Sequence, residues 1–427
     1  MEQFDSFIKD LTRLISFKSV INSGEENTPF GIENKKALEF FLSLAKSFGF
    51  ETKNYDDYAG EIIFGNGEEI GIIGHLDVVP EGKGWNTDPY TLTLKDGIYY
   101  GRGVSDDKGL ILMCLYALKE LKDSKISPNK KFRLIVGCNE ETGWKDVEYL
   151  NNLSGFSFPE RGFSPDGEFP VTYAEKGIAL ITFKLPKLKN FYGLTGGTVV
   201  NAVCGEAYAY AKYSGINEKL IYKNGLNLQS NNKIVSIGKS CHGSRPHLGK
   251  NALNALFNYF LEMGENVSQF VDYVILDKSG LRKIENEQGS LTMSPDVLLE
   301  TENEIQVICD TRIPAPLTFD EIKPIIDSFG IKYSFDENKP PFLVDKNGAF
   351  VQTLLKSYVS VTGDLNATPK SETGSTFARV FMEGCAFGGA GMEDYNGSAH
   401  EANENMPKEI MLKIYEIYKT AIFNLAK

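Results

Sequence analysis

The chain has 427 residues and a net charge of −12, and 42% of its residues are hydrophobic. These values are typical of a globular protein with a large core and two or three domains. Because Lys and Arg form no basic cluster, we do not expect the protein to bind nucleic acid.

The N-terminal residues 3–17 carry apolar side chains at helical spacing, which predicts an amphipathic helix and not a signal peptide. No run of about 18 apolar residues occurs, so no membrane span is predicted. The six cysteines are scattered singly and form no CxxC pair, which indicates reduced thiols in a cytoplasmic protein. A second amphipathic helix is predicted at residues 407–427.

Helices and strands alternate in the first third of the chain. The apolar runs EIGIIGH (69–75) and KKFRLIVGCN (130–139) predict buried strands, and DKGLILMCLYALKELKDS (107–124) predicts a helix between them. Residues 178–344 add strands and helices of an α+β region. We therefore expect an α/β catalytic domain with a mixed, mostly parallel sheet covered by helices, built from residues 1–177 and 345–427. The α+β region (178–344) is expected to form an inserted lid domain.

The first predicted strand ends in His75, and Asp77 follows two residues later. In an extended chain these residues share a face, so the Asp77 carboxylate could bind one imidazole nitrogen and strengthen the other as a metal ligand. A histidine with a charged neighbour in a loop explains this pair alone equally well.

Two acidic pairs follow the same pattern. Asp106 and Asp107 precede the predicted helix, where the N-cap and first turn are the simpler interpretation. Glu140 and Glu141 follow the second strand, and in extended chain they would point to opposite sides, one to a metal and one to a bound water. A charged turn is the alternative.

Asp166 in a Pro-Asp-Gly turn and His400 in a polar loop complete the inventory. Active sites of α/β sheets lie at the carboxyl ends of strands, so we expect these side chains to gather there. Histidines and carboxylates in this number suit a pair of borderline divalent ions such as Zn²⁺, with one carboxylate bridging.

The ordered motifs HLD, RGVSDDKG, NEET, SPDGEFP, HGSRPHLGKNA and SAHEANE resemble the dinuclear zinc peptidases related to aminoacylase-1 and carboxypeptidase G2. GHLDVVPEGKGW, GWKDVEY and FSPDGEFPV look most like the bacterial dipeptidase branch, the PepV and Xaa-His dipeptidase group. The matches run in order from Gly74 to Glu404. Residues 370–379, KSETGSTFAR, depart from the more Gly-rich stretch of the family.

The resemblance implies five metal ligands, two for each ion and one that bridges them: His75 and Asp166, Glu141 and His400, and Asp106. It implies that the Asp106–Asp107 peptide bond is cis, that Asp77 orients His75 and that Glu140 is the general base. In the lid, it implies that His242 polarises the substrate carbonyl, that Arg312 binds the substrate's C-terminal carboxylate and that Asn201 assists. His247 matches no role and is expected at the surface.

The function implied is that of a metal-dependent dipeptidase acting on small peptides with a free C-terminal carboxylate. Two divalent ions, Zn²⁺ or alternatively Mn²⁺, would activate a bridging water, in a monomer or homodimer. An N-acyl-amino-acid deacylase or desuccinylase of the same fold is the alternative. A non-catalytic metal- or peptide-binding protein is a remote one, because Glu140 is present.

Overall fold

The computed structural model describes residues 3–22, 28–392 and 395–427, without the side chains of 336–338. The chain folds into two compact units. Unit 1 comprises Met1–Tyr173, Val344–Lys370 and Thr376–Lys427, and unit 2 comprises Ala174–Leu343 and Ser371–Ser375. The predicted lid domain, 178–344, does not include residues 371–375, which cluster with unit 2. The division into a catalytic and a lid domain stays a prediction.

The α-helices in the described part of the chain are α1 (Phe4–Ile15), α2 (Ile32–Ser47), α3 (Lys108–Asp123), α4 (Lys145–Asn152), α5 (Glu218–Lys223), α6 (Ala252–Glu262), α7 (Ser268–Phe270), α8 (Phe319–Asp327), α9 (Ala349–Thr362) and α10 (Lys408–Leu425). None of these helices is long and apolar enough to cross a membrane. The helices predicted at both ends of the chain and after Asp107 are confirmed as α1, α10 and α3.

The strands divide by position along the chain. The first part of the chain forms β1 (Glu51–Tyr55), β2 (Ala59–Gly65), β3 (Glu68–His75), β4 (Thr93–Lys95), β5 (Ile98–Tyr100), β6 (Lys130–Gly137), β7 (Arg161–Ser164) and β8 (Thr172–Glu175). The middle forms β9 (Gly177–Leu185), β10 (Phe191–Gly196), β11 (Glu206–Ala211), β12 (Asn227–Gln229), β13 (Lys233–Ile237), β14 (Glu285–Asn286), β15 (Gly289–Ser290), β16 (Thr292–Glu300), β17 (Ile305–Ile313), β18 (Lys332–Lys339) and β19 (Phe342–Leu343). The last part forms β20 (Lys370–Glu372), β21 (Glu383–Ala386) and β22 (Asn405–Pro407).

Unit 1 is built on a mixed sheet with the order β1-β2-β6-β3-β7-β21-β8. The central strands β6, β3, β7 and β21 are parallel, and β1, β2 and β8 are antiparallel to their neighbours. The mixed sheet is confirmed, and its parallel part is confined to these central strands. Strands β3 and β6 are apolar on both faces because both faces are covered.

Helix α3 anchors the core of unit 1. Apart from the residues of its last turns, its side chains are buried, and it packs on β3, α1 and α10. An amphipathic surface helix would show a polar face over its whole length, so the nearly continuous apolar sequence from Gly109 to Leu118 marks a helix enclosed by other elements. This burial fixes the start of α3, where Asp106 and Asp107 lie.

Unit 2 contains an antiparallel sheet with the order β12-β13-β11-β10-β16-β17-β9-β18. Strand β17 pairs in continuous register with β9, and its pairing with β16 shifts register between Pro295 and Val297. Helix α6 packs on β11, β13 and β16. The predicted α+β character of this region is confirmed. All six cysteines of the chain are free thiols, five of them buried.

Candidate functional site

Three parallel strands of unit 1 end at the same edge of the sheet. In the pairing of β3 with β6, His75 lies opposite Gly137, and β7 lies on the other side of β3 and ends at Ser164. The segments that follow these strands carry the predicted acidic residues. The sheet therefore brings together side chains that are far apart in sequence, as expected for the carboxyl edge of an α/β sheet.

Asp106 lies between two histidines. Its Oδ1 is 3.1 Å from Nε2 of His75, and its Oδ2 is 3.1 Å from Nε2 of His400. Each imidazole nitrogen has a second carboxylate neighbour: Asp166 Oδ2 is 3.9 Å from His75, and Glu141 Oε2 is 3.0 Å from His400. The five residues thus form two groups that share Asp106, and within each group the possible ligand atoms lie within 4.8 Å of one another.

Asp77 holds the turn after β6. Its Oδ1 accepts a hydrogen bond from the backbone N–H of Glu140, and its Oδ2 accepts one from Glu141, both at 3.1 Å. His75 Nδ1 lies 3.0 Å from the backbone oxygen of Asp77 and 3.4 Å from its Oδ1. Both the backbone oxygen and the carboxylate of Asp77 therefore contact His75, the carboxylate at the longer distance. The expectation of extended chain at Glu140 and Glu141 is wrong, because they lie in a turn.

Asp107 is the N-cap residue of α3, but its side chain makes no capping hydrogen bond. Its Oδ2 accepts the backbone N–H of His75 at 3.0 Å. Gly74 is required beside it, because a Cβ at that position would lie 2.0 Å from Asp107 Oδ2. Asp107 therefore occupies the N-cap position, but its side chain does not cap the helix as the simpler interpretation assumed. The expected cis peptide bond between Asp106 and Asp107 is present.

Glu404 was not assigned a role from the sequence, although it ends the SAHEANE motif. Its buried carboxylate accepts backbone N–H groups of Gly103, Ser105 and Asp106 at 2.9–3.1 Å. It also pairs with Arg102, with Nη1 and Oε2 2.8 Å apart. Glu404 therefore fixes the backbone of the loop that carries Asp106. An acid four residues after His400 was the available signal.

Opposite charges compensate within the five-residue cluster. Burial, together with the charge of Asp106, raises the pKa of Glu141 and raises that of Asp166 well above its ordinary value. Burial acts against ionisation of Asp106 as well, but hydrogen bonds with His400 and His75 hold its pKa low. Burial opposes protonation of His400 too, yet its bonds with Asp106 and Glu141 raise its pKa. Carboxylates forced together in this way favour a bound cation.

Unit 2 contains the three residues predicted to contact substrate. Arg312 is 5% exposed, and its Nε and Nη2 bind the two oxygens of Asp310 at 2.7 and 2.8 Å. Asn201 is exposed, and its backbone oxygen accepts the N–H of Gly243 at 2.7 Å. The pairing of Arg312 with Asp310 was not foreseen. His247 is exposed, as expected.

His242 is also exposed, and its Nδ1 lies 2.7 Å from the Ser244 hydroxyl. The Thr373 hydroxyl donates to the same Ser244 oxygen at 3.0 Å, and Arg312 Nη1 donates to the backbone oxygen of Thr373 at 3.1 Å. Two of the predicted substrate-binding side chains therefore belong to one hydrogen-bonded group within one chain.

The model of Peptidase family M20/M25/M40 matches residues 71–424. The chain belongs to this family. It is 33% identical to the Beta-Ala-Xaa dipeptidase of Lactobacillus delbrueckii subsp. lactis, in an alignment that covers 99% of this chain and 96% of the relative. The resemblance recognised from the sequence motifs is therefore confirmed.

Two solved structures have the same fold as this M20/M25/M40 chain. Human carnosine dipeptidase 1 has a TM-score of 0.59 at 12% identity, with 99% of this chain and 97% of that chain covered. The aminoacylhistidine dipeptidase of Vibrio alginolyticus has a TM-score of 0.59 at 13% identity, with 99% of both chains covered. At these identities the likeness shows the fold.

A first prediction concerns the support of the Asp106 loop in this family member. Glu404→Ala leaves the buried guanidinium of Arg102 unpaired, so we expect the free energy of unfolding to fall by about 3–5 kcal/mol. Urea denaturation measures this change. Glu401→Ala, at an exposed position in the same loop, is the control and should leave the midpoint unchanged. A Glu404 variant as stable as the control would contradict the supporting role.

A second prediction concerns Asp296, which is fully buried in unit 2 and accepts a hydrogen bond from Ser294 at 2.5 Å. Burial raises the pKa of Asp296 to about 8, and the charge of Asp310 adds to the rise. Between the unfolded pKa of about 3.9 and the folded pKa, only the folded state keeps the proton, so rising pH favours unfolding.

Asp296→Asn cannot ionise and lacks this penalty. We expect the melting temperature of the variant, relative to that of the native protein, to increase as the pH is raised from 5 to 9. Glu302→Gln, at an exposed site, serves as the control and should show a constant difference. A constant difference for Asp296→Asn would show that the carboxyl ionises normally.

Proposed function

We propose that the chain is a metal-dependent dipeptidase that hydrolyses dipeptides with a free C-terminal carboxylate. The observation that carries this proposal is the position of Asp106, whose two oxygens each lie 3.1 Å from a different imidazole. Membership of a peptidase family and 33% identity to a Beta-Ala-Xaa dipeptidase over nearly the full length support it.

The donor set fits two divalent ions. Each group in the shared cluster offers one imidazole nitrogen and carboxylate oxygens, the ligands that Zn²⁺ accepts, and the repulsion between the buried carboxylates would be relieved by a cation. Asp106 would serve both ions. His75 and Asp166 would hold one ion with it, and Glu141 and His400 would hold the other. Zn²⁺ is the proposed ion, with Mn²⁺ as the second choice.

A bound pair of divalent ions supplies a water of lowered pKa and polarises the substrate carbonyl. Glu140 is the proposed general base, which takes the proton of the water and delivers it to the leaving amine. Two observations support this role. The Asp77 carboxylate fixes the Glu140 backbone, and the charge of Glu140 contributes to the raised pKa of Asp166, so Glu140 acts electrostatically on one of the proposed metal ligands.

Residues of unit 2 are proposed to bind the substrate. His242 donates to the carbonyl oxygen, where negative charge develops in the transition state. Arg312 binds the C-terminal carboxylate, and Asn201 assists. Asp310 takes the Nε–H and one Nη2–H of Arg312, and Thr373 takes one Nη1–H, which leaves one N–H on each terminal nitrogen. Because His242 and Arg312 belong to one hydrogen-bonded group, a single chain supplies both.

The assignment of the adjacent glutamates leads to a third prediction. Glu140→Gln should keep both metal ions and lose about 10²–10⁴-fold in kcat, because only proton transfer is removed. Glu141→Gln is the matched control and should lose metal, because a carboxylate ligand is removed. Metal content by elemental analysis and steady-state kinetics on one dipeptide distinguish the two. Loss of a metal ion from the Glu140 variant would reverse the two roles.

Recognition of the C-terminal carboxylate leads to a fourth prediction. A dipeptide amide cannot accept both of the N–H groups that Asp310 and Thr373 leave on Arg312, and losing such charge-assisted hydrogen bonds costs about 1.5–3 kcal/mol, or about 10- to 150-fold in kcat/KM. A tripeptide should also be poor, because its carboxylate lies about 3.5 Å further along the chain. The measurement compares kcat/KM for a dipeptide, its amide and its one-residue extension.

Arg312→Lys should reduce the preference for the dipeptide over its amide, since lysine is a point charge without a planar pair of donors. Metal content should stay at the native level in this variant. Equal kcat/KM values for dipeptide and amide in the native protein would contradict the dipeptidase. Faster turnover of N-acyl amino acids would favour a deacylase.

A further inference from the structure

The ring of His242 is held by the residue two positions after it. Its Nδ1 lies 2.7 Å from the hydroxyl oxygen of Ser244, and the backbone N–H of Ser244 donates to the same nitrogen at 3.2 Å. Ser244 is 4% exposed, so this contact is shielded from solvent. Contacts within residues 242–244 therefore influence which ring nitrogen of His242 carries the proton.

A backbone N–H can only donate. This donor favours the lone pair on Nδ1 of neutral His242 and therefore the proton on Nε2. A proton on Nδ1 would face the Ser244 N–H. The Nε2–H tautomer is the one that can donate a hydrogen bond from the outer end of the ring, and this is the group that a developing oxyanion requires.

Thr373 orients the Ser244 hydroxyl. The Thr373 hydroxyl donates to Ser244 Oγ at 3.0 Å, so the Ser244 hydrogen is directed to Nδ1 of His242. The backbone oxygen of Thr373 accepts Nη1–H of Arg312 at 3.1 Å. Thr373 lies in residues 371–375, the short segment of the C-terminal part of the chain that belongs to unit 2. Thr373 therefore contacts both Ser244, which holds His242, and Arg312 itself.

A second connection joins the same two side chains. Gly243 follows His242, and a Cβ at Gly243 would lie 2.7 Å from Oδ2 of Asp310 and 2.8 Å from Oδ2 of Asp296. Asp310 is the carboxylate that binds Arg312 at Nε and Nη2. The loop that carries His242 is therefore packed directly against the partner of Arg312, where a residue larger than glycine has no space.

We propose that Ser244 and Thr373 are positioning residues that keep His242 in the Nε2–H tautomer and couple its placement to that of Arg312. This inference rests on the roles proposed above for His242 and Arg312. The tautomer of His242 can be measured in the protein without a substrate. The effect of the Thr373 hydroxyl on turnover is measured by kinetics.

Nitrogen-15 NMR of the Zn²⁺-loaded full-length protein tests the tautomer. The chain has only four histidines, so selective labelling of histidine gives a small set of ring signals, and His242→Gln assigns the signal of interest. We expect Nε2 of His242 to be the protonated nitrogen. In Thr373→Val the Ser244 hydroxyl is free to rotate and accept from Nδ1–H, so the share of the other tautomer should rise. Exposed His247 is the internal control.

Steady-state kinetics on one dipeptide tests the coupling. Thr373→Val keeps the backbone oxygen that Arg312 uses, so KM should stay unchanged. The loss of one hydrogen bond behind His242 should lower kcat by about two- to tenfold. Thr373→Ser restores the hydroxyl and should restore kcat, which a purely structural role of the side-chain volume would not do.

A native His242 protonated at Nδ1 would overturn the proposal. So would a Thr373→Val variant with native tautomer ratio and native kcat, or a Thr373→Ser variant as impaired as the valine. If the native protein cleaves no dipeptide, the proposed function fails by itself, and the NMR comparison of native, valine and serine proteins still decides whether the two hydroxyls hold the ring.

Discussion

Asp106 lies with one oxygen 3.1 Å from the imidazole of His75 and the other 3.1 Å from that of His400. Its side chain is only 12% exposed, and two further carboxylates, Glu141 and Asp166, contact the same imidazoles. Like charges held this close are stable only when positive charge compensates them. This electrostatic constraint acts on the loops that carry the carboxylates, because each loop must be held in place against the repulsion between them.

The structure separates two kinds of acidic residue at this edge of the sheet. Those of one kind contact imidazole nitrogens. Those of the other kind accept backbone N–H groups and thereby fix the loops: Asp77 after β6, Asp107 at the end of β3 and Glu404 beneath the loop of Asp106. The carboxylates of Asp77 and Glu404 each receive two or more N–H donors, which stabilise them without a cation. Both kinds are needed, since a metal site depends on the groups that orient its ligands.

Much of this arrangement was predictable from the sequence. Apolar runs identified β3, β6 and α3, and the position of acids after strand ends indicated one cluster. The roles that were missed depend on long-range contacts. Glu404 binds a loop about 300 residues earlier in the chain, and periodicity carries no information about such a pairing. The turn at Glu140 is set by Asp77, which a local extended-chain argument cannot include.

The same limit applies in unit 2. The motif CDTRIP indicated Arg312, but Asp310 and Arg312 point to the same face of β17 and pair with each other, which occupies one edge of the guanidinium. The stretch KSETGSTFAR looked like a departure from the family, and the contacts of Thr373 with Ser244 and Arg312 give one of its residues a definite place. Side-chain pairing, and not secondary structure, was the part that sequence reasoning did not reach.

Anomalous X-ray scattering tests the two-ion centre most directly. Crystals of Zn²⁺-loaded protein, measured on both sides of the zinc absorption edge, should show two peaks per chain about 3.5–4 Å apart, with Asp106 between them. One peak should lie next to His75 and Asp166, and the other next to Glu141 and His400. A single peak, or peaks away from Asp106, would contradict the shared-carboxylate centre.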